Sequence, residues 1–477
     1  MNNAPKKRKK KLRPQIVLII LIFISLAVFG AVLGIYEEYI KPNSTETLPV
    51  ENGEDVLTPP ENEDSDVPTE PDVLTEPDVP TEPDVPTGPD VATEPDVPTE
   101  PDVATEPEKP VEPEKPQKQP SGDETRISFI AVGDNIIHDA IIEDAKRLAY
   151  ERGQGERYYF DSMYEDFADA FKNADISFVN QETMIAGDHA PYRGYPHFNT
   201  PPEMGETLER LGVDVVSLAT NHALDLYGKG ISNCISFFKN TSITAIGAYE
   251  NSDDYNNIRV IERDGIKIAF LAYTDFTNEG LLGERYESII VARTSHSEIK
   301  RQVAEAKKLA DLVFVSMHWG TENSFNLSSS QKETAQVLVD AGVDVIIGTH
   351  PHLLQEMKWK DRPDGGKTLI TYSLGNFMST MHPVYDMFGG MLSLDVVKDD
   401  SGVYVDNVLM IPTMTHYSLD RDSLRLYYLE DYSEELYKTH GTSIRSESAG
   451  WSYDKMIRRI KDIIPEEFLE DWIKNYK

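Results

Sequence analysis

The chain has 477 residues, a formal net charge of −36 and a single cysteine. An acidic excess of this size argues against a surface that binds nucleic acid, and it is compatible with binding cations. One cysteine excludes an intramolecular disulfide, and an exported protein without disulfides fits a bacterium with a single membrane. Cys234 is interpreted as a small buried hydrophobic side chain rather than a reactive thiol.

The N-terminus has the pattern of a membrane anchor. A basic segment, residues 1–14, precedes an uncharged apolar run, residues 15–36. About twenty apolar residues are enough to cross a hydrocarbon core of roughly 30 Å. Basic flanks stay in the cytoplasm, so the pattern predicts a single-pass cell-membrane protein with its N-terminus inside and its globular domain outside. A cleaved signal peptide is the alternative interpretation.

Residues 37–125 form an acidic, proline-rich linker. Copies of a six-residue repeat such as DVPTEP run from Asp66 to Pro107. Proline removes backbone donors and blocks both helix and sheet, while repulsion between carboxylates extends the chain. The segment is therefore predicted to be a disordered, partly polyproline-II spacer through a cell wall. A tail that binds a cation or a partner is the alternative.

Seven short segments after residue 126 share one layout, in which a run of apolar residues ends in polar groups. Such a run is typical of a strand buried on both faces, and helical patterns separate several of the runs. Largely parallel strands in an α/β fold are therefore predicted, with ligands bound beyond their carboxyl ends. The segments are Ile127–Asp134, Ile176–Glu182, Val215–His222, Ile268–Asp275, Leu312–Gly320, Val345–His352 and Leu369–Asn376.

Other elements follow from capping residues and from changes of period. Ser330 is predicted to cap a helix that ends near Gly342. After residue 376 the apolar residues alternate, which indicates antiparallel strands. Residues 453–476 follow an amphipathic helical pattern. The main domain is predicted to span 126–420, with 421–477 as a helical extension packed on it.

Metal-ligating side chains gather at the ends of the predicted strands. His350 and His352 flank a proline, which favours an extended segment with both imidazoles on one side. Asp134 follows Gly133, which permits a tight turn and the close approach of a ligand. Glu182 is a candidate bridge between two metal ions, which together polarise a substrate oxygen and activate water. The predicted metal ligands are Asp134, Glu182, Asn221, His318, His350 and His352.

Further polar residues are assigned to catalysis or to support of the site. The candidate catalytic residues are His222, as a proton donor, with Asp134 and Glu182. Each role competes with a structural one, such as a helix cap at Asn221 or a core position at His318. The candidate substrate-binding or supporting residues are His138, Glu322, Asn376, Trp319 and His197. The sequence contains neither a G-x-S-x-G motif nor a phosphate-binding G-x-x-x-x-G-K-[ST] loop.

The order of these motifs resembles that of the bacterial capsule and poly-γ-glutamate synthesis family called CapA or PgsA. The pieces that carry the resemblance are AVGDNIIHDA, NQE, ATNHALDLYG, HWGTE, GTHPHLLQ and YSLGNF, between Val132 and Phe377. This family looks like a branch of the calcineurin-like metallophosphoesterases. That wider resemblance implies a two-sheet sandwich flanked by helices, with a site that holds two metal ions.

The resemblance also implies roles for individual residues. Asp134 matches the first aspartate ligand, Asn221 the asparagine ligand and His222 the proton donor beside it. Glu182 stands where a bridging aspartate is usual, and Ile136 stands where the wider superfamily has histidine. The later histidine ligands match His318, His350 and His352. One or two divalent ions are therefore expected, with Mn, Zn and Fe as the alternatives.

The predicted anchor, the predicted linker and the resemblance together indicate two possible functions. One is an extracytoplasmic metal-dependent hydrolase of capsule or poly-γ-glutamate synthesis, acting on a phosphoester or amide of an anionic polymer or cell-envelope substrate. The other is a non-catalytic subunit that binds metal or polymer within a membrane polymer synthase and export complex. Both place subunits of that complex among the expected partners.

Overall fold

A computed structural model describes residues 124–153, 155, 157–382, 384–444 and 450–476 of the chain. The predicted basic N-terminus, the predicted anchor and nearly all of the predicted linker lie outside the described residues. Among the described residues, no helix combines the length and the hydropathy needed to cross a membrane.

The described part of the chain contains sixteen strands and eleven α-helices. The strands are β1 (Thr125–Asn135), β2 (Ile176–Gln181), β3 (Val215–Ser217), β4 (Thr244–Ile246), β5 (Ala248–Tyr249), β6 (Arg259–Arg263), β7 (Ile266–Thr274), β8 (Ile290–Val291), β9 (Leu312–His318), β10 (Val345–Thr349), β11 (Met357–Asp361), β12 (Lys367–Thr371), β13 (Asn376–Met378), β14 (Phe388–Asp399), β15 (Gly402–His416) and β16 (Arg425–Tyr428). The helices are α1 (Asp139–Arg152), α2 (Ala168–Asn173), α3 (Pro202–Leu211), α4 (Tyr227–Phe238), α5 (Ser252–Asn256), α6 (His296–Leu309), α7 (Ser329–Ala341), α8 (Glu434–Thr439), α9 (Gly441–Ile444), α10 (Tyr453–Ile463) and α11 (Asp471–Lys474).

Two mixed sheets form the framework. The eight-stranded sheet has the order β16-β15-β14-β1-β2-β3-β4, with β13 beside the end of β1. The six-stranded sheet has the order β11-β12-β10-β9-β7-β6. Strands β1 to β4 run parallel, as do β7, β9, β10 and β12. Antiparallel strands follow β1 on one side of the eight-stranded sheet and form both edges of the six-stranded sheet. The prediction that the apolar segments form largely parallel strands is confirmed.

The two sheets pack face to face through aromatic side chains. Phe129 on β1 has its ring centroid 5.0 Å from that of Phe314 on β9 and 6.2 Å from that of Phe270 on β7. The neighbouring residues Ala269 and Leu271 point to the opposite face, where they pack against α6 and α7. The predicted two-sheet sandwich flanked by helices is confirmed.

Two predicted strands are shorter than the sequence pattern indicates. β3 ends at Ser217, so Asn221 and His222 lie in the turn that follows it rather than in the strand. The segment Leu369–Asn376 is divided between β12 in one sheet and β13 in the other. The chain crosses between the sheets at Gly375, which has a φ of +66°. An apolar run cannot reveal such a crossing, because both halves are equally buried.

Two predictions about helices are wrong in detail. α7 is capped by Ser328, whose side chain and that of Gln331 form a capping box, whereas Ser330 lies inside the helix. The amphipathic pattern near the C-terminus is broken, since α10 ends at Ile463 and Pro465 follows, where proline cannot continue a helix.

Residues after 421 contribute to the same core. β16 pairs with β15 at the edge of the eight-stranded sheet. Met456, Ile457 and Ile460 of α10 are fully buried in the hydrophobic cluster that also contains Phe129. The predicted domain boundary at residue 420 therefore precedes β16, a strand of the eight-stranded sheet.

Replacing Phe129 by alanine is expected to lower the free energy of unfolding by about 3–5 kcal/mol, because a fully buried ring leaves the contact between the sheets. Tyr150→Ala on α1 is the control, since that side chain is 87% exposed, and a change within about 0.5 kcal/mol is expected. Urea unfolding measures both values. Equal losses of unfolding free energy in the two variants would contradict this packing of the two sheets.

Candidate metal centre

The carboxyl ends of parallel strands bring acids and imidazoles to one edge of the sandwich. Pairing of β1 with β2 sets Asp134 beside Asn180, and pairing of β9 with β10 sets His318 beside Thr349. Asp134 is also level with Asn376 of β13. The strand ends of both sheets therefore contribute to one cluster.

Three overlapping sets of side chains have one ligand atom per residue within 4.8 Å of one another. Five of the six predicted ligands belong to these sets, and Glu322 joins them. The sixth, Asn221, is adjacent, since its Oδ1 lies 2.9 Å from Nε2 of His318. The three sets are Glu182 with His318 and His350, Asp134 with Glu182 and His352, and Glu322 with His350 and His352.

Two buried polar groups in this cluster suit a cation. Both carboxylate oxygens of Glu182 are buried, and neither has a hydrogen-bond partner among the described residues. The same holds for Nδ1 of His350 within the described ranges. A buried acceptor left unpaired costs free energy, and a divalent ion satisfies both oxygen and imidazole nitrogen. The donor set therefore fits a metal ion.

The pKa values of the cluster reflect burial and mutual charge. Burial and the neighbouring Asp134 raise the pKa of Glu182 well above its usual range. Burial alone lowers the pKa of His352, but the charges of Glu182 and Asp134 raise it to about 10. Burial lowers the pKa of His350 to about 3 and moves that of His318 in the same direction. His318 and His350 are therefore neutral at pH 7, the form that binds a metal.

The segment His350–His352 is not extended, in contrast to the prediction. The two histidines have φ angles of +93° and +62°, which non-glycine residues rarely adopt. This backbone turns the His350 N–H toward Asp134, whose Oδ2 accepts it at 3.1 Å. The imidazole centroids still lie 5.8 Å apart. Convergence of the two rings is thus achieved by a strained turn and not by strand alternation.

Gly133 permits the approach of another part of the chain rather than of a ligand. A Cβ atom at this position would lie 1.8 Å from the carbonyl oxygen of Gly375. The adjacent N–H of Asp134 donates to the same oxygen at 2.9 Å. This contact holds the neighbouring Asn376, whose Oδ1 lies 3.1 Å from Nδ1 of His352. Asn376 therefore contacts a predicted ligand directly.

His222 is held by a buried carboxylate. Its Nδ1 lies 2.8 Å from Oδ2 of Asp225, which also accepts the N–H of Phe198 at 2.8 Å. The Phe198 ring packs edge-on against His222 at a centroid distance of 4.6 Å. With Nδ1 directed at Asp225, Nε2 is the nitrogen available to a substrate.

The remaining predicted site residues differ in their burial and in their contacts. His138 is half-buried and its Nδ1 accepts the N–H of Thr380 at 3.3 Å. His197 is at the surface, 3.2 Å from Glu279. Trp319 does not line the centre, because it is buried in the core between the six-stranded sheet and its helices. Its direction follows from alternation along β9, since it is the residue after the inward-facing His318.

Three residues of the site were not predicted as site residues from the sequence. Asn180 donates to Oδ1 of Asp134 at 2.8 Å, and the Thr349 hydroxyl lies 3.1 Å from Nδ1 of His318. Strand register could have identified both, because each is level with a predicted ligand. Asp386 comes from a short turn without a sequence signal, and burial raises its pKa to about 8.

Comparisons with known proteins point to one family. The family model described as bacterial capsule synthesis protein PGA_cap matches residues 128–381. "PGA biosynthesis protein CapA" of Bacillus subtilis (strain 168) is 25% identical over 295 residues, which cover 61% of this chain and 76% of that protein. "Capsule biosynthesis protein CapA" of Bacillus anthracis is 32% identical over 230 residues, 46% of this chain and 54% of that protein.

Among solved structures, the NAD nucleotidase of Haemophilus influenzae overlaps 71% of this chain and 60% of its own, with 11% identity and a TM-score of 0.39. An overlap at this TM-score supports no functional comparison. The family model, in contrast, covers more than half of the chain and contains every member of the three ligand sets. The chain therefore belongs to the bacterial capsule synthesis protein family PGA_cap.

Proposed function

We propose that this chain is a divalent-metal-dependent hydrolase that acts outside the cytoplasm on a phosphoester or amide bond of an anionic polymer or cell-envelope substrate. The observation that carries the proposal is the buried Glu182 carboxylate, shared by two ligand sets and without a hydrogen-bond partner in the described ranges. Family membership and the names of the two Bacillus relatives support a role in capsule or PGA biosynthesis.

The metal would be held by buried oxygen and imidazole donors. Asn221 supplies an amide oxygen beside His318. This mixture of ligands suits Mn, Zn or Fe, and one or two such ions would polarise a substrate oxygen and lower the pKa of a bound water. The ligands in the proposal are Asp134, Glu182, Asn221, His318, His350 and His352.

The chain's own residues supply proton transfer and orientation. Asp225 fixes the imidazole of His222, so that Nε2 can donate a proton to the leaving group. Burial lowers the pKa of His138 to about 3, so its ring is neutral. Because its Nδ1 accepts from Thr380, Nε2 of His138 carries the hydrogen and is a donor for a substrate oxygen.

The full-length chain, purified in mild detergent, is expected to bind one or two equivalents of Mn²⁺, Zn²⁺ or Fe²⁺. The double substitution His350→Ala and His352→Ala removes imidazoles from all three ligand sets and should abolish most of this binding. His296→Ala is the control, since this imidazole lies at the surface on α6. Elemental analysis and calorimetry measure the metal content. A wild-type chain that binds none of these metals would exclude the proposed centre.

His222→Ala is expected to lower the turnover of a phosphoester or amide substrate by roughly 10²–10⁴-fold, since it removes the proton donor. Metal content should stay unchanged, because His222 is outside the three ligand sets. Steady-state kinetics and elemental analysis measure the two quantities, with His296→Ala as the control. A His222→Ala strain with normal polymer amount and chain length would instead support a non-catalytic binding subunit.

The proposed position of the globular domain outside the cytoplasm can be tested with protease. An apolar run follows the basic N-terminus, and the roughly eighty proline-rich residues after it would reach on the order of 200 Å if they extended as polyproline II. Protease added to intact cells or to wall-stripped protoplasts is therefore expected to release a soluble fragment that starts near Ser121. N-terminal sequencing identifies the cut. Protection of the domain until the membrane is disrupted would reverse the proposed orientation.

A further inference from the structure

The loop after β9 carries an acid to the solvent side of the metal centre. Glu322 contributes a carboxylate oxygen to the set formed with His350 and His352. It is exposed, whereas Asp134 and Glu182 are 0% and 1% exposed. The carboxylates of the centre thus differ in their access to water.

This loop is fastened to the segment that carries the histidines. The N–H of Trp319 donates to the carbonyl oxygen of Thr349 at 3.1 Å, and the N–H of Asn323 donates to that of Pro351 at 3.0 Å. The side-chain amide of Asn323, with its nitrogen toward Asp386, also donates to that carboxylate at 3.0 and 3.1 Å. Glu322 lies between these bonds, so its backbone is fixed beside the two imidazoles.

The carboxylate of Glu322 faces the two imidazoles. One of its oxygens and one ring nitrogen each of His350 and His352 lie within 4.8 Å of one another. Although the residue is exposed, its side chain is therefore directed toward the centre.

The two ligand sets that contain the buried Glu182 also leave coordination positions open for a further donor. Each set contributes three carboxylate or imidazole atoms, and Asn221 adds an amide oxygen beside His318. Divalent transition metals take four to six ligands, so positions remain open to another donor. We propose that Glu322 ligates a divalent ion on the solvent-facing side of this centre, together with His350 and His352. This proposal rests on the metal centre of the proposed function and adds a ligand to it.

Metal titration of full-length Glu322→Gln tests the assignment. Loss of a ligand carboxylate should weaken Mn²⁺ binding at least about tenfold or remove one equivalent in calorimetry. It should also change the visible absorption of the Co²⁺-loaded chain, which reports the number and geometry of the ligands. The matched control is Glu305→Gln on α6, an exposed acid in an ion pair with Lys308, which should leave both measurements at wild-type values.

The outcomes distinguish a failure of the Glu322 assignment from a failure of the metal centre itself. Unchanged Mn²⁺ affinity and stoichiometry in Glu322→Gln, with metal bound normally by the wild-type chain, would overturn the assignment of Glu322 alone. Weaker binding with an unaltered Co²⁺ spectrum would overturn it as well, because the carboxylate would then act only through its charge. A wild-type chain without metal would instead remove the proposed centre on which the assignment rests.

Discussion

The burial of two carboxylates side by side, Asp134 and Glu182, is the constraint on which the rest of the site depends. Removing an ionised carboxylate from water costs several kcal/mol unless other groups compensate. The protein compensates Asp134 with the Asn180 amide, the His350 N–H and the His352 ring. Glu182 has no hydrogen-bond partner among the described residues, since Nε2 of His318 and Nε2 of His352 each remain 3.9 Å from its Oε1, and burial raises its pKa. A divalent cation supplies the opposite charge that this arrangement requires.

The sandwich explains how that arrangement is assembled. Asp134 extends from the eight-stranded sheet and His318 from the six-stranded sheet, so the distance between acid and imidazole depends on how the sheets pack. Contact between Phe129 and Phe314 fixes that packing along the same two strands, β1 and β9. The crossing at Gly375 then brings Asn376 beside Asp134. Core packing and site geometry are therefore coupled through shared strands.

Much of this site could be predicted from the sequence, because buried parallel strands leave a strong apolar signal and their ends must meet. Five of the six predicted ligands share the ligand sets for that reason. The signal fails where the chain departs from regular geometry. The positive φ angles of His350 and His352 accompany long-range contacts of both residues with Asp134. No local pattern identifies Asp386 either, because it lies in a short turn and meets Asn323 through a long-range contact.

The surroundings of the centre favour a reaction over simple binding. A site that only bound metal or polymer would need the ligands, whereas hydrolysis also needs a group that gives a proton to the leaving group. Here Asp225 is buried and orients His222, although neither belongs to a ligand set among the described residues. Burying Asp225 is costly, and its Oδ2 accepts the Phe198 N–H and lies 2.8 Å from Nδ1 of His222, while its Oδ1 has no hydrogen-bond partner among the described residues. An oriented imidazole beside a metal centre is suited to proton transfer, and this makes hydrolysis the stronger of the two proposals.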